Sequence, residues 1–319
     1  MPYHYTTGSV QDLSRLAGFR QAGFPSQPVN TFEFFRFRFH FRAAGQIHFP
    51  RGKSANLVRG AFGTVLRESV TPADYARLFE PGTALGKVPS GLADWPRPFV
   101  FRVAHLDGLT VPVNGTFFLD VHVFDMREPV LPQFRAAFAQ FAVLGIGPGR
   151  GRTELERVEQ LDLDDRPSEV SEEPGAPAFL NLDPDSWAEG RVQVRFLTPT
   201  ELKSDGARVE RPVFPILFAR LRDRISTLRA LYGHGPLDVD FFGMGLRAGA
   251  VRLNWYNLAR EKVSRRSGRT GQVHPLGGFT GDAEYEGELA EFLPWLRAAR
   301  WVGVGRQTVW GKGDLRVIT

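Results

Sequence analysis

The stretch from Phe35 to Arg42 alternates without exception between phenylalanine and a basic residue. Because successive side chains of a β-strand point to opposite faces, this stretch predicts a strand with one apolar and one cationic face. The apolar face carries Phe35, Phe37, Phe39 and Phe41. The cationic face carries Arg36, Arg38, His40 and Arg42. Such a strand requires a second layer of structure that covers its phenylalanines.

A helix is predicted after this strand, because apolar residues recur at helical spacing from Leu57 to Val65, with Ser54 or Asn56 as a possible N-cap. Residues 99–103 and 117–124 are then predicted to form strands. They are followed by a helix that carries Phe134, Phe138 and Phe141, and by a weaker strand over residues 153–161. This β-α-β-β-α-β order is the ferredoxin-like order.

The second half of the chain repeats this plan less regularly. Residues 191–196 alternate like the first strand, and apolar residues from Phe214 to Leu228 predict a long amphipathic helix. Strand-like runs occur in residues 237–258, a short helix is predicted over residues 288–299, and residues 300–304 and 315–318 flank a final loop. We therefore expect an α+β protein with tandem ferredoxin-like (RRM/RAMP-like) domains and a C-terminal glycine-rich loop.

Length and charge suggest where the domains divide. A chain of 319 residues is long enough for two domains. An acidic, proline-containing segment separates the two similar halves. We expect an N-terminal domain over residues 1–165, a linker or surface excursion over residues 166–189, and a C-terminal domain over residues 190–319.

Composition excludes several classes of site. The chain has no cysteine, so it has no disulfide, no thiolate metal ligand and no cysteine nucleophile. Neither a signal-peptide pattern at the first residues nor an apolar run of the roughly 18 residues that a membrane span needs is present. We expect a cytosolic protein without a membrane partner. The formal net charge is only +5, so local basic patches carry more information than the total.

The C-terminal segment sets four glycines and three cations among apolar residues: Gly303, Gly305, Arg306, Gly311, Lys312, Gly313 and Arg316. Glycine reaches positive φ at little cost, so backbone N–H groups in such a loop can converge on an anion. The spacing matches neither a Walker loop nor a dinucleotide fingerprint. The segment therefore predicts a phosphate-binding loop for something other than a nucleotide cofactor. A tight turn between two C-terminal strands is the alternative.

Residues 252–269 carry six cations and one acid, Glu261, with Trp255 and Tyr256 nearby. Cations interleaved with aromatic rings are typical of proteins that bind single-stranded RNA, where phosphates are neutralised and bases stack. A solvated basic face with Trp255 in the core is the alternative.

Four further motifs occur in order along most of the chain. They are Leu57-Val-Arg-Gly-Ala-Phe-Gly63, Tyr75-Ala-Arg-Leu-Phe79, Leu276-Gly-Gly-Phe-Thr-Gly281 with Tyr285-Glu-Gly287, and Gly303-Val-Gly-Arg-Gln-Thr-Val-Trp-Gly-Lys-Gly313. With them the chain resembles the CRISPR precursor-RNA-processing endoribonucleases of the RAMP superfamily. The resemblance implies tandem ferredoxin-like domains and cleavage of CRISPR repeat RNA without a metal ion or other cofactor. It also implies crRNA, and other subunits of a Cas effector complex, as partners.

Metal-independent RNA cleavage needs a base, an acid and cations, because a 2′-OH must lose its proton and attack the adjacent phosphate. Relatives often place a histidine on or near the first helix, yet residues 55–66 contain none. His48 and His40 are the nearest histidines. We predict His48 as base or acid, Lys53 as charge stabiliser and His274 as the second candidate. A non-cleaving RAMP subunit that holds crRNA is the alternative.

We expect RNA contacts from cations of the first strand and helix, from the basic segment and from the C-terminal loop. The first-strand cations have an alternative, which is to face solvent or the other domain and to pair with acids such as Glu154 and Glu156. In the C-terminal loop, Gln307 is placed to reach a base edge. The predicted RNA-binding residues are Arg36, Arg38, Arg42, Arg59, Arg260, Arg265, Arg266, Arg269, Gly303, Gly305, Arg306, Gln307, Gly311, Lys312 and Gly313.

Overall fold

A computed structural model of the chain describes residues 30–82, 95–186, 190–204, 206–261 and 277–318, together with the backbone of residues 264–266 and 273–275. Within these ranges no helix combines the length and the apolarity that crossing a membrane requires.

The first domain is built on one antiparallel sheet with helices on one face. Its strands are β1 (Thr31–Ala43), β2 (Ile47–His48), β3 (Phe99–Arg102), β4 (Thr110–Val111), β5 (Thr116–Val123), β6 (Thr153–Leu161), β7 (Pro167–Glu169) and β8 (Ala178–Asn181). Its helices are α1 (Ser54–Ser69), α2 (Pro72–Phe79), α3 (Leu131–Ala139) and α4 (Phe141–Leu144). The strand order is β3-β5-β1-β6-β7, β8 pairs with β1, and β2 and β4 form a separate ribbon.

The second domain repeats this topology. Its strands are β9 (Arg191–Thr200), β10 (Lys203–Ser204), β11 (Ala207–Arg208), β12 (Arg252–Glu261), β13 (Ser264–Arg266), β14 (Val273–Pro275), β15 (Gly278–Glu286) and β16 (Leu315–Ile318). Its helices are α5 (Phe214–Tyr232), α6 (Phe241–Ala248) and α7 (Leu293–Val302). The main sheet has the order β12-β15-β9-β16. In the first sheet β1 lies between β5 and β6, and in the second sheet β9 lies between β15 and β16. Counted in chain order, the four main strands of each sheet therefore have the order 2-3-1-4, and the tandem ferredoxin-like prediction is confirmed.

The apolar face of β1 forms the core of the first domain, as its alternation predicts. Phe37, Phe39 and Phe41 are at most 2% exposed. Helices α1 and α3 cover them, and the ring centroids of Phe39 and Phe138 lie 4.6 Å apart. At about 25 cal/mol per Å² of buried apolar surface, this face is a major part of the driving force for folding.

The opposite face of β1 joins the two domains at its N-terminal end. Phe32 and Phe34 pack in the core cluster of the second domain. The Arg36 guanidinium lies 4.2 Å from the ring centroid of Trp301 in α7, and Arg300 lies 4.3 Å from the same ring. Asp165 accepts hydrogen bonds from both arginines. The beginning of the predicted cationic face is therefore a domain contact.

The C-terminal end of α7 is held by three basic side chains. Arg102 Nη2 donates to the carbonyl oxygens of Arg300 and Trp301 at 3.1 and 3.3 Å. His122 Nδ1 donates to Trp301 O at 2.9 Å, and Arg224 Nε donates to Val302 O at 2.8 Å. These carbonyls have no partner within a helix, and cations suit their partial negative charge. Burial lowers the pKa of Arg224 to about 9. Burial, with Arg102 nearby, holds the pKa of His122 well below its usual value.

One local prediction is wrong and another is only partly right: of the stretch over residues 237–258 predicted to contain strands, residues 252–258 belong to β12. Residues 241–248 form helix α6 within the stretch read as strand-like, because Asp240 caps it through Gly243 N–H at 2.8 Å and Met244 and Ala248 are buried at helical spacing. Neither Ser54 nor Asn56 caps α1, whose N-cap position is Lys53.

The acidic segment over residues 166–189 is partly attached to the first sheet. Strand β7 pairs with β6, and β8 pairs with the beginning of β1. Residues 187–189 lie outside the described part of the chain.

Candidate functional site

The C-terminal loop, residues 303–314, packs against the beginning of α1. A methyl group on Gly311 would lie 3.0 Å from Cβ of Ala55 in the first turn of α1 and 3.2 Å from the Phe101 carbonyl oxygen. This contact brings a loop of the second domain to the beginning of α1, next to two of the three predicted catalytic residues, His48 and Lys53.

His48 lies on a short ribbon next to α1. Strand β2 pairs with β4 there, and Phe49, which is fully buried, donates its N–H to Leu109 O at 2.9 Å. The exposed His48 ring is oriented by a 2.9 Å hydrogen bond between Nδ1 and Thr110 Oγ1. Among the described residues Nε2 has no partner, so it is available to a substrate.

Lys53 is exposed and occupies the N-cap position of α1. Asp107 satisfies the first helical N–H, because its Oδ1 accepts from Ser54 N at 3.0 Å. The helix dipole disfavours a cation at this end, so the charge of Lys53 does not stabilise α1. His48, at the end of β2, and Lys53, at the beginning of α1, stand at the two ends of the same loop, and both side chains are exposed to solvent.

Lys312 approaches this region from the C-terminal loop. It is 7% exposed, and burial lowers the pKa of its ammonium group, while Glu261 and Asp107 act in the opposite direction. Asp107 holds the beginning of α1, and Glu261 ends the strand that leads to the β13–β14 hairpin. The Lys312 side chain is therefore largely buried, and the carboxylates of Asp107 and Glu261 favour the charged form of its ammonium group.

The glycines of the C-terminal loop have the predicted positive φ but a different role. Gly303, Gly305, Gly311 and Gly313 have φ between 70° and 82°. The N–H groups of Gly303, Gly311 and Gly313 donate to protein carbonyls at 2.8, 2.9 and 3.3 Å. A methyl group on Gly305 would overlap Glu201 O. These three amides are not directed at an external anion, which corrects the prediction of an amide-lined phosphate site; the glycines permit close packing instead.

Cations of this loop and of α1 contact protein groups. Arg306 is 46% exposed and donates to Glu201 Oε1 at 2.7 Å. Arg59 lies over the rings of Phe79 and Trp310, at 4.8 and 5.0 Å from their centroids. Gln307, next to Arg306, is half-buried in a left-handed conformation with φ of 63°.

Every basic residue on the cationic face of β1 has an acidic partner. These pairs are Arg36 with Asp165, Arg38 with Asp120, His40 with Glu159 and Arg42 with Glu156. The ion-pair alternative is therefore the one that the structure adopts. Arg36 is 4% exposed and offers no surface to RNA, which corrects its predicted RNA contact. Arg42 remains 48% exposed.

The described part of the basic segment lies on two strands, β12, which pairs with β15, and β13, which pairs with β14. Arg260 is 59% exposed and pairs with Glu210 at 3.1 Å. Beyond β12, the backbone register places Arg265 opposite His274 and Arg266 opposite Val273. Arg269 lies outside the described residues. Trp255 and Tyr256 are 47% and 40% exposed, so the alternative that placed Trp255 in the core is wrong.

Three further arginines carry exposed charge beside His48 and are not among the predicted site residues. They are Arg51, Arg150 and Arg152. Arg150 and Arg152 come from the Gly145–Arg152 run, whose four glycines and two arginines are the signal that identifies them.

Comparisons with known proteins agree with this architecture. A sequence model of the family described as CRISPR-associated endoribonuclease Cas6 matches residues 194–315. A second one, described as an N-terminal domain, matches residues 32–179. No curated protein matches the chain.

Solved structures support the same fold. A Cas6 product complex is 18% identical, with a TM-score of 0.54, and the match covers 90% of this chain and 99% of that one. Cas6 of Thermus thermophilus is 18% identical, with a TM-score of 0.51 and coverage of 90% and 98%. A chain of a partial Cas6-RT-Cas1–Cas2 complex is 12% identical, with a TM-score of 0.56, and the match covers 92% of this chain and 46% of that one. Residues 194–315 therefore match the family of CRISPR-associated endoribonucleases called Cas6, and the chain as a whole has the fold of solved Cas6 structures.

Proposed function

We propose that this protein binds CRISPR repeat RNA and cleaves it without a metal ion. The 2′-OH next to the scissile phosphate attacks it and leaves a 2′,3′-cyclic phosphate and a 5′-OH. The observation that carries the proposal is the exposed His48 on a fixed ribbon, with Lys53 five residues later on the same loop and the C-terminal loop against α1. The match of residues 194–315 to the Cas6 endoribonuclease family supports a role in CRISPR RNA processing.

His48 acts at its Nε2 atom as the base that takes the 2′-OH proton, or as the acid that protonates the leaving oxygen. Histidine is the residue type that titrates nearest to neutral pH, which suits both roles. The Thr110 hydroxyl orients the ring. Lys53 stabilises the charge that develops on the phosphate oxygens. His274 is the second candidate for proton transfer.

RNA is held by exposed cations and rings around this centre. Arg306 pairs with Glu201, which is only 6% exposed, so this pair is not a surface ion pair. Arg42 and Arg260 form ion pairs in which the arginine is about half exposed or more. Such pairs contribute only about 0–1 kcal/mol, so a phosphate can replace the carboxylate at little cost. Trp255, which is 47% exposed, offers a ring on which an unpaired base stacks, whereas Tyr256, which is 40% exposed, has the Arg211 guanidinium 5.8 Å from its ring centroid.

A second candidate function is that of a RAMP subunit that holds crRNA without cutting it. The observation that favours it is the sequence of α1, whose sixteen residues from Ser54 to Ser69 contain no histidine. In that case His48 binds phosphate and transfers no proton.

Incubation with cognate repeat RNA in EDTA separates these functions. Cleavage with 5′-OH and cyclic-phosphate ends supports the enzyme; tight binding of intact RNA supports the subunit. Under single-turnover conditions His48→Ala should lower the rate by about 10²-fold or more, the usual contribution of a general acid or base. His40→Gln, which replaces a different histidine of the same domain, is the control, and its cleavage rate should stay within a few-fold of the wild-type rate. Equal rates for wild type and His48→Ala would refute the assignment of His48.

A further inference from the structure

The glycine-rich turn of the first domain packs directly against the loop that carries His48. The N–H groups of Ala44 and Gly45 donate to Arg152 O at 2.8 and 3.2 Å. A methyl group on Gly151 would lie 2.6 Å from Gln46 O, and one on Gly147 would lie 3.4 Å from His48 O. The two loops are therefore one continuous surface at the edge of the candidate active site.

Four cations project from this surface, which we call the basic loop surface: Arg51, Lys53, Arg150 and Arg152. All four are exposed, and none forms an ion pair within 4 Å with a described residue. The cations on the neighbouring face of β1 are all paired. Glu154 is the nearest acid in sequence, and Asp107 is engaged with the first N–H of α1. The basic loop surface therefore keeps its positive charge uncompensated.

The backbone at Arg150 supports a selected role for its side chain. Arg150 has φ of 48°, a left-handed conformation that a residue with a Cβ adopts at a cost and that glycine adopts freely. Its neighbours Gly149 and Gly151 show that the turn is otherwise made with glycine. The hydrogen bond from Arg150 N to Gly147 O, at 3.0 Å, needs no side chain. Fold stability therefore does not explain an arginine here.

We propose that the basic loop surface binds the backbone phosphates of RNA immediately beside the cleavage site. This inference rests on the proposed function, because it takes the same RNA as ligand. Arginine suits the role, since its planar guanidinium donates two parallel hydrogen bonds to a phosphate. Contacts of this kind fix the position of the strand and read no sequence. The surface thus sets which phosphate reaches His48.

The test is equilibrium binding of repeat RNA with a 2′-deoxy substitution at the scissile position, measured in EDTA at several salt concentrations. Each lost phosphate contact lowers the slope of log K against log salt by about 0.7 for single-stranded RNA, which corresponds to about five-fold in affinity at 0.1 M salt. Arg150→Gly and Arg152→Ala should each show this loss. Arg166→Ala, which removes an arginine that is 79% exposed in the acidic segment, is the matched control and should bind as wild type does.

Thermal unfolding accompanies each binding measurement. Arg150→Gly should melt within about 2 °C of wild type, because relief of the left-handed conformation offsets the greater freedom of glycine in the unfolded chain. If wild type fails to bind repeat RNA, the proposed function falls and this inference falls with it. If wild type binds and the two variants keep its salt slope, only this inference is overturned. Stronger competition by an acidic peptide than by RNA would overturn it in favour of a protein partner.

Discussion

Gly313 and Gly52 form a matched pair that tests the packing role of the C-terminal loop. Both have left-handed backbones, with φ of 70° and 68°. A methyl group on Gly52 would meet nothing within 4 Å, whereas one on Gly313 would overlap Val304 O and lie 2.8 Å from Val304 N. Changing each glycine to alanine therefore imposes the same backbone cost but very different contacts.

The expected magnitudes follow from these contacts. Alanine in a left-handed conformation costs about 1–2 kcal/mol, which is the whole cost expected for Gly52→Ala. For Gly313→Ala the backbone must also shift, which weakens the hydrogen bonds from Val304 N to Gly313 O at 2.9 Å and from Gly313 N to Pro199 O at 3.3 Å. At about 1 kcal/mol for each bond, the free energy of unfolding falls by about 2 kcal/mol more than in Gly52→Ala.

Thermal melting followed by circular dichroism measures this difference. A difference of about 2 kcal/mol corresponds to about 4–8 °C in melting temperature for a unit of 150–250 residues. Gly313→Ala should therefore melt about 4–8 °C below Gly52→Ala. Equal melting temperatures would refute the reasoning, because they would mean that the loop moves away from Val304 at no cost and is not held by its glycines.

Two further predictions concern buried basic groups. Because burial lowers the native pKa of His122, protons bind preferentially to the unfolded state as pH falls through about 6.5, and stability should fall by up to about 1.4 kcal/mol per pH unit. His122→Asn should therefore lose less melting temperature than wild type between pH 7.5 and 5.5, and an identical loss would contradict the burial of a neutral imidazole. Burial disfavours the charged form of Lys312, so Lys312→Met should melt at or above the wild-type temperature while repeat RNA binds more weakly. If Lys312→Met bound RNA as tightly as wild type in a filter-binding assay, Lys312 would not be part of the RNA interface.

The alternation of residues along strands and the helical spacing of apolar residues predict the fold well, because both patterns follow from local backbone geometry, which is the same in the two domains. The pattern of β1 places Phe37, Phe39 and Phe41 in the core, as the structure confirms. Helix α6 escapes the same reasoning because two of its eight residues are glycines and a capping aspartate outside the pattern begins it. The domain boundaries at residues 165 and 189 stay a prediction.

Charges and glycines are harder to interpret from sequence, because their partners lie far away in the chain. Arg36 meets Asp165, 129 residues later, and Arg42 meets Glu156, 114 residues later. Likewise, positive φ in the C-terminal loop follows from glycine content, but the carbonyls that its amides meet depend on tertiary packing. The exposed arginines beside His48 are the converse case. The segments that carry them, residues 46–53 and 145–152, contain no acidic residue. Among the described residues, the structure places no acidic group within 4 Å of their guanidinium groups.

The central hypothesis is that the beginning of α1, with His48 and Lys53, is where the scissile phosphate binds. A structure of the protein with 2′-deoxy repeat RNA tests this most directly. We expect the scissile phosphate within hydrogen-bonding reach of His48 Nε2, at about 2.6–3.2 Å directly or through one water molecule, and of the Lys53 ammonium. A scissile phosphate bound instead on the open face of the first sheet, beside His40, would contradict it.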